Sequence, residues 1–256
     1  MIRYTDESLL PSLEKFLSAA GTDDVCACRI GCLLESYGIR YDFAVFHLQI
    51  TEKGAITGAA VRYYHDMTVF LTDESDTDEW RSFLRMTGFH SLLSRQALLS
   101  ERSAEPVTVM TLTKPVPTLC PPPKDFTLTC EPSLPALWQL WKRCESSDFA
   151  VPPYEDFLPD ISHKLRHNTA RIHALLHGGK PAASAVTVSQ TAYSAVIGGV
   201  AADTDYRRRG LGSYCVQSLC HSLSGRKIFL MRDPRRQARF YGRLGFEDTA
   251  SFCLTR

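Results

Sequence analysis

Residues 200–219 read VAADTDYRRRGLGSYCVQSL. The stretch leaves an apolar run at 193–202, crosses a turn of arginine and glycine, and enters a segment with Leu211, Cys215, Val216, Leu219, Cys220 and Leu223 at helical spacing. Ser224-Gly225 stops that helix. The first backbone N–H groups of a helix have no intrahelical partner, and the helix dipole places partial positive charge beside them. Glycines let a bulky anion approach the backbone, and arginines supply charge-assisted hydrogen bonds. Arg207, Arg208, Arg209, Gly210, Leu211, Gly212 and Ser213 therefore make a candidate pyrophosphate cradle.

The pattern around this stretch sets the fold class. Segment 126–130 alternates as a strand does, and 134–144 and 154–166 carry helical faces. Three strand-like stretches follow, 170–176, 182–189 and 193–202, the first ending in His-Gly-Gly, a hairpin signal. Consecutive strands with short connections predict an antiparallel meander. After the helix, 228–231 (IFLM) is a short buried strand. Asp233-Pro234 reads as an N-cap and first helical position for a helix to about Leu244, with Gly245 at its C-terminal cap. Residues 250–255 make a last strand. The order β-α-α-β-β-β-α-β-α-β is that of a mixed α/β sheet.

Prolines at 115, 117, 121, 122 and 123 make 115–125 a semi-rigid linker between lobes 1–114 and 126–256. In the first lobe, helices are expected over 9–19, 25–37 and 76–86. Strands are expected over 43–50, 55–63, 67–71 and 107–112. This order echoes the second lobe and suggests a degenerate repeat.

The 256 residues are 44% hydrophobic and 22% charged, with a net charge of +1. These values fit one or two globular domains, and nothing global steers the chain to nucleic acid or an anionic membrane. Positive charge collects locally at 207–209 and at Arg232, Arg235, Arg236, Arg239 and Arg243, which suits a small anion better than a polyanion. The start, MIRYTDESLLPSLEKF, carries charges where a signal peptide needs an apolar core, and no apolar run approaches membrane-spanning length. Nine cysteines without a disulfide framework read as reduced thiols in a cytoplasmic protein. Cys26, Cys28 and Cys32 lack a fourth ligand and a knuckle spacing, so they are expected as buried helical thiols rather than a metal site.

Segment 238–247 reads ARFYGRLGFE. With 200–219, it resembles the paired signatures of GNAT N-acetyltransferases, in the family's order and separation, across 126–256. The resemblance implies an acyl-coenzyme-A fold in which two parallel strands splay to admit the pantetheine arm, here 193–202 and 227–231. It implies acetyl-coenzyme A as cofactor, held by Val200, Ala201 and Ala202 along the first splayed strand and by residues 207–213. Gly198-Gly199 marks a place for strand distortion. Tyr241 stands where the family keeps a general acid, and a phenol of pKa ~10 is matched to a leaving thiolate of pKa ~8.5. The implied activity is acetyl transfer to a primary amine of a small molecule or peptide; a homodimer is compatible with it.

Two departures qualify the resemblance. The asparagine common before the tyrosine helix is replaced by Asp233-Pro234-Arg235-Arg236. The first splayed strand carries no carboxylate or histidine, which leaves Glu155, Asp156 and His173 as base candidates and a non-catalytic coenzyme A sensor as the alternative function.

Overall fold

The computed structural model describes residues 1–21, 23–118, 122–147 and 149–256. Residue 121 of the proline run lies outside this set. The chain divides into two compact units, Met1–Val109 with Thr249–Arg256, and Met110–Asp248.

The first unit contains β1 (Ile2–Tyr4), α1 (Leu10–Ala20), α2 (Val25–Tyr37), β2 (Ala44–Ile50), β3 (Ile56–Tyr63), β4 (Asp66–Leu71), α3 (Thr77–Met86) and β5 (Ser91–Ser94), followed by β6 (Ala104–Leu112). β1 to β4 pair antiparallel in chain order. The α3 crossover then returns β5 parallel to β4. A helix starts at α2 because the buried Asp24 carboxylate accepts from the amides of Cys26 (2.7 Å) and Ala27 (3.2 Å). Leu13, Leu17, Ile30, Leu34, Phe46, Leu48, Ala59 and Val61 fill one side of the sheet. Alternate residues, including Ala60, Met67 and Val69, meet Trp80 and Leu84 of α3 on the other. Cys26, Cys28 and Cys32 are buried thiols of α2.

The second unit repeats this order: β7 (Thr127–Thr129), α4 (Leu134–Cys144), α5 (Tyr154–Arg166), β8 (Ile172–His177), β9 (Lys180–Gln190), β10 (Ser194–Ala202), α6 (Leu211–Ser222) and β11 (Lys227–Arg232). β7 to β10 are antiparallel neighbours, and β11 is parallel to β10. α6 packs on the face formed by Leu175, Ala183, Ala185, Ile197 and Leu230. α4 and α5 cover the opposite face through Ile172, Ala174, Val186 and Ala201. α7 (Ala238–Gly242) and β12 (Phe246–Thr255) complete the chain. Both units are mixed α/β, as the segment order predicts.

The helix expected from Asp233 is the main local difference. Residues 233–237 form a turn, and only Ala238–Gly242 is helical. Arg232 is the cause: its Nη1 donates to the carbonyls of Asp233 (2.9 Å), Pro234 (2.8 Å) and Arg236 (3.2 Å). Carbonyls gathered onto one guanidinium cannot run along a helix axis. Nη2 of the same group reaches Asp248 Oδ2 at 2.5 Å. Gln237 then takes a left-handed φ of 65° to start α7. β1 and β5 carry no legible strand period, being only three and four residues long.

Candidate active site

β10 and β11 are paired only from Ser194↔Lys227 to Ile197↔Leu230. Beyond Ile197 the two strands no longer pair, although β10 continues to Ala202. The distortion expected at Gly198-Gly199 is present. Between Gly198↔Val186 and Ala201↔Ser184, β10 advances three residues while β9 advances two, a bulge of one residue. Gly199 sits in it with φ +55°.

Two features fix this conformation. A Cβ on Gly199 would lie 2.5 Å from Trp141 Cζ2. The Gly199 carbonyl accepts from Ser184 Oγ at 2.8 Å, and Ser184 Oγ accepts from Trp141 Nε1 at 3.0 Å. Gly199→Ala is therefore expected to cost about 2–4 kcal/mol, from the ring collision and the left-handed backbone together. Thermal unfolding of that variant measures it.

After the bulge, the side chains of β10 alternate. Ala201 is buried toward α4 and α5, while Val200 and Ala202 pack with the cluster that holds Leu211 and Tyr241. A single 3-10 turn, Thr204–Tyr206, leads into the arginine turn. Arg208 (φ 61°) and Gly210 (φ 79°) are both left-handed, a conformation a non-glycine residue holds at a cost. Gly210 is the N-cap of α6 and offers no side-chain cap. The amides of Leu211, Gly212 and Ser213 thus open α6 without an intrahelical acceptor. A Cβ on Gly210 would meet nothing within 4 Å, and one on Gly212 only Phe240 Cζ at 3.9 Å. The space above the helix start is open.

Two of the three arginines make contacts within the fold. Arg207 Nε donates to Ala202 O at 3.3 Å, tying the turn back to β10. Arg209 lies over the Tyr206 ring, 5.5 Å from its centroid, and Tyr206 Oη meets His177 Nδ1 at 2.9 Å. All three are exposed.

Sequence patterns do not single out the support beneath this turn. Arg143 at the end of α4 binds Asp203 Oδ2 through Nε (2.9 Å) and Nη2 (2.8 Å). Burial pushes the Asp203 carboxyl up, but its hydrogen bonds to Arg143 and to the Asp205 amide outweigh that and hold it below the usual range. Cys144 Sγ contacts Ala202 O at 3.3 Å, and burial, opposed in part by Arg207, raises its thiol pKa. Trp141 and Cys144 read in the sequence only as apolar residues of a helical face, and nothing in the sequence marks Arg143.

Tyr241 is 8% exposed and belongs to the same buried cluster as Val200 and Ala202. Its ring meets Phe240 edge-on at 4.8 Å and Phe246 at 6.1 Å. Burial pushes its phenol up to about 12. Among the described residues its hydroxyl has no hydrogen-bond partner. It is a phenol that stays protonated at neutral pH with its proton uncommitted.

The base candidates fare differently. His173 is buried on the α6 side, with Nδ1 2.7 Å from Ser218 Oγ and Nε2 3.7 Å from Cys130 Sγ. Burial, aided by Arg171, lowers its pKa to about 4. Both ring nitrogens are engaged in packing the sheet against α6. Glu155 and Asp156 are exposed in the first turn of α5.

The first unit has the same topology and a different helix start. Asp76 caps α3, its Oδ1 accepting from the amides of Asp78 (3.1 Å) and Glu79 (3.0 Å). Carboxylates occupy the place where the second unit presents free amides, and they repel an anion.

Comparison with known proteins agrees with this geometry. Residues 134–246 match the family described as "Acetyltransferase (GNAT) family". No curated protein matches the chain. Solved structures share the fold. A GCN5-related N-acetyltransferase from Sphaerobacter thermophilus is 15% identical with a TM-score of 0.63, over 100% of this chain and 94% of that one. A tandem GNAT protein from the clavulanic acid biosynthesis pathway is 14% identical with a TM-score of 0.62, over 100% and 97%. A GNAT-family acetyltransferase structure from Novosphingobium aromaticivorans is 16% identical with a TM-score of 0.55, over 91% and 97%. Among the described residues no helix is long and apolar enough to cross a membrane. The parted parallel strands, the open helix start and the family match agree: residues 134–246 are an acyltransferase domain of the GNAT family.

Proposed function

We propose that the second unit binds acetyl-coenzyme A and transfers its acetyl group to a primary amine of a small molecule or peptide. The observation that carries this reading is the start of α6, uncapped and open above Gly210 and Gly212, next to the point where β10 and β11 part. The residues fit the cofactor's chemistry. The uncapped amides of residues 211–213 and the positive charge of the arginine turn complement an anion. Val200, Ala201 and Ala202 offer strand backbone to the amides of a pantetheine arm.

The bound thioester supplies an activated acyl group. The chain does the rest by position. Backbone N–H on β10 stabilises charge on the carbonyl oxygen as the amine nitrogen bonds to the acyl carbon. The amine loses its proton to water or to a base from the acceptor side. As the carbon–sulfur bond breaks, Tyr241 donates its phenolic proton toward the departing sulfur. A cytoplasmic setting accords with the free thiols of the described cysteines.

Calorimetric titration with acetyl-coenzyme A tests binding, and release of the free thiol with a panel of primary amines tests transfer. One cofactor should bind per chain, because Asp76 already holds the helix-start amides in the first unit. Two sites per chain would overturn that assignment. A second reading, a coenzyme A sensor without turnover, is favoured by one observation: β10 bears no carboxylate or histidine. Binding without thiol release across the panel would select it.

A further inference from the structure

We propose that Ser184 and Trp141 are positioning residues that aim the Val200 amide N–H at the thioester carbonyl. The inference rests on the acetyl-coenzyme A reading of the second unit. It starts from the peptide joining Gly199 to Val200. In a trans peptide the C=O and N–H point in opposite directions. The Gly199 oxygen is held at 2.8 Å by Ser184 Oγ, on the neighbouring strand β9. The Val200 N–H of the same plane is therefore turned away from Ser184. β11 has already stopped pairing with β10 three residues earlier, at Ile197.

An isolated serine hydroxyl rotates and holds a carbonyl loosely. Here it is fully buried, and its free rotation is removed from the other side by Trp141 Nε1 at 3.0 Å. The hydroxyl accepts from the indole and so must give its own proton to Gly199 O. The indole ring also fills the space a Gly199 side chain would need, which keeps the bulge in its left-handed form. Trp141 is in turn locked edge-on to Phe157 at 5.2 Å and Phe149 at 6.1 Å. The order of control is α4 ring, β9 hydroxyl, β10 peptide plane. An oxyanion donor works by being fixed before charge develops, and this relay supplies that fixity without touching the cofactor.

Isotope-edited infrared spectroscopy of bound acetyl-coenzyme A labelled at the acetyl carbonyl provides the test, and needs no acceptor. In the wild-type protein the carbonyl band should move to lower frequency on binding. In Ser184→Ala the band should return toward its solution position, while the dissociation constant stays within about threefold. Ser184→Thr, which keeps the hydroxyl, should retain the wild-type band. Trp141→Phe, which keeps a ring but removes the donor, should give an intermediate position and serves if Ser184→Ala does not fold. A wild-type band unchanged from solution, or the same shifted band in Ser184→Ala and Trp141→Phe, overturns the inference. Absence of any acetyl-coenzyme A binding by the wild-type protein instead overturns the reading beneath it.

Discussion

Gly212→Glu should leave the protein folded, with a melting temperature no lower than wild type, and abolish measurable coenzyme A binding. The two halves of this result come from the same position. Gly212 is the second residue of α6. A side chain there meets only Phe240 Cζ, 3.9 Å from the Cβ, so nothing must move to admit it. Glutamate also has a better helix propensity than glycine and complements the dipole in a first turn. The folded state is thus expected to gain slightly. Binding suffers for the same electrostatic reason. A carboxylate placed at the helix start takes the amides for itself and repels a pyrophosphate. A penalty of about 2.7 kcal/mol, a modest value for apposed like charges, already weakens binding about a hundredfold. The first unit shows a natural form of this change, where Asp76 holds the amides of Asp78 and Glu79. Calorimetry with coenzyme A, beside a thermal melt, checks both halves. Unchanged affinity in a folded variant would remove α6 from the cofactor site.

The sequence reveals this helix start because local signals agree there. Arginines and glycines between a strand and an amphipathic helix need no tertiary information to be read. Gly198-Gly199 likewise announces a distortion, since two glycines weaken a strand interior. What holds the distortion is invisible, because Trp141, Ser184 and Gly199 are far apart in the chain. Ser184 looks like one small residue in an alanine-rich strand, and Trp141 like a core aromatic of α4. Only the fold shows that their polar atoms meet. The turn at 233–237 departs from its local signal for a related reason. Asp233-Pro234 is a good local helix start, but a buried arginine one residue earlier collects the carbonyls that the helix would use. His173 is a similar case: its imidazole has the chemistry of a base, and only the fold sets Ser218 and Cys130 against its two ring nitrogens.

Tyr241→Phe is expected to lower the rate of acyl transfer by ~10²–10⁴ while leaving acetyl-coenzyme A affinity nearly unchanged. The ring is part of the buried cluster and packs against Phe240 and Phe246. Phenylalanine keeps those contacts. Its hydroxyl has no hydrogen-bond partner among the described residues, so removing it breaks no internal bond. Stability should hold, and any loss of rate then reports on the reaction. Burial, which pushes the phenol up to about 12, has two consequences. The group stays protonated across neutral and mildly alkaline pH, so it is always ready to donate. Complete transfer to a thiolate of pKa ~8.5 is uphill, however. On the proposed mechanism, Tyr241 would act as a hydrogen-bond donor while negative charge builds on sulfur, with the proton moving late. Equal losses in kcat and kcat/KM would mark an interaction made mainly in the transition state. The alkaline limb of a pH–rate profile should be the same in wild type and Tyr241→Phe up to about pH 10, because the phenol does not ionise in that range. Single-turnover kinetics are the proper measurement, since slow product release hides a change in chemistry. A rate within about threefold of wild type, some 0.6 kcal/mol in barrier, would assign Tyr241 to packing alone.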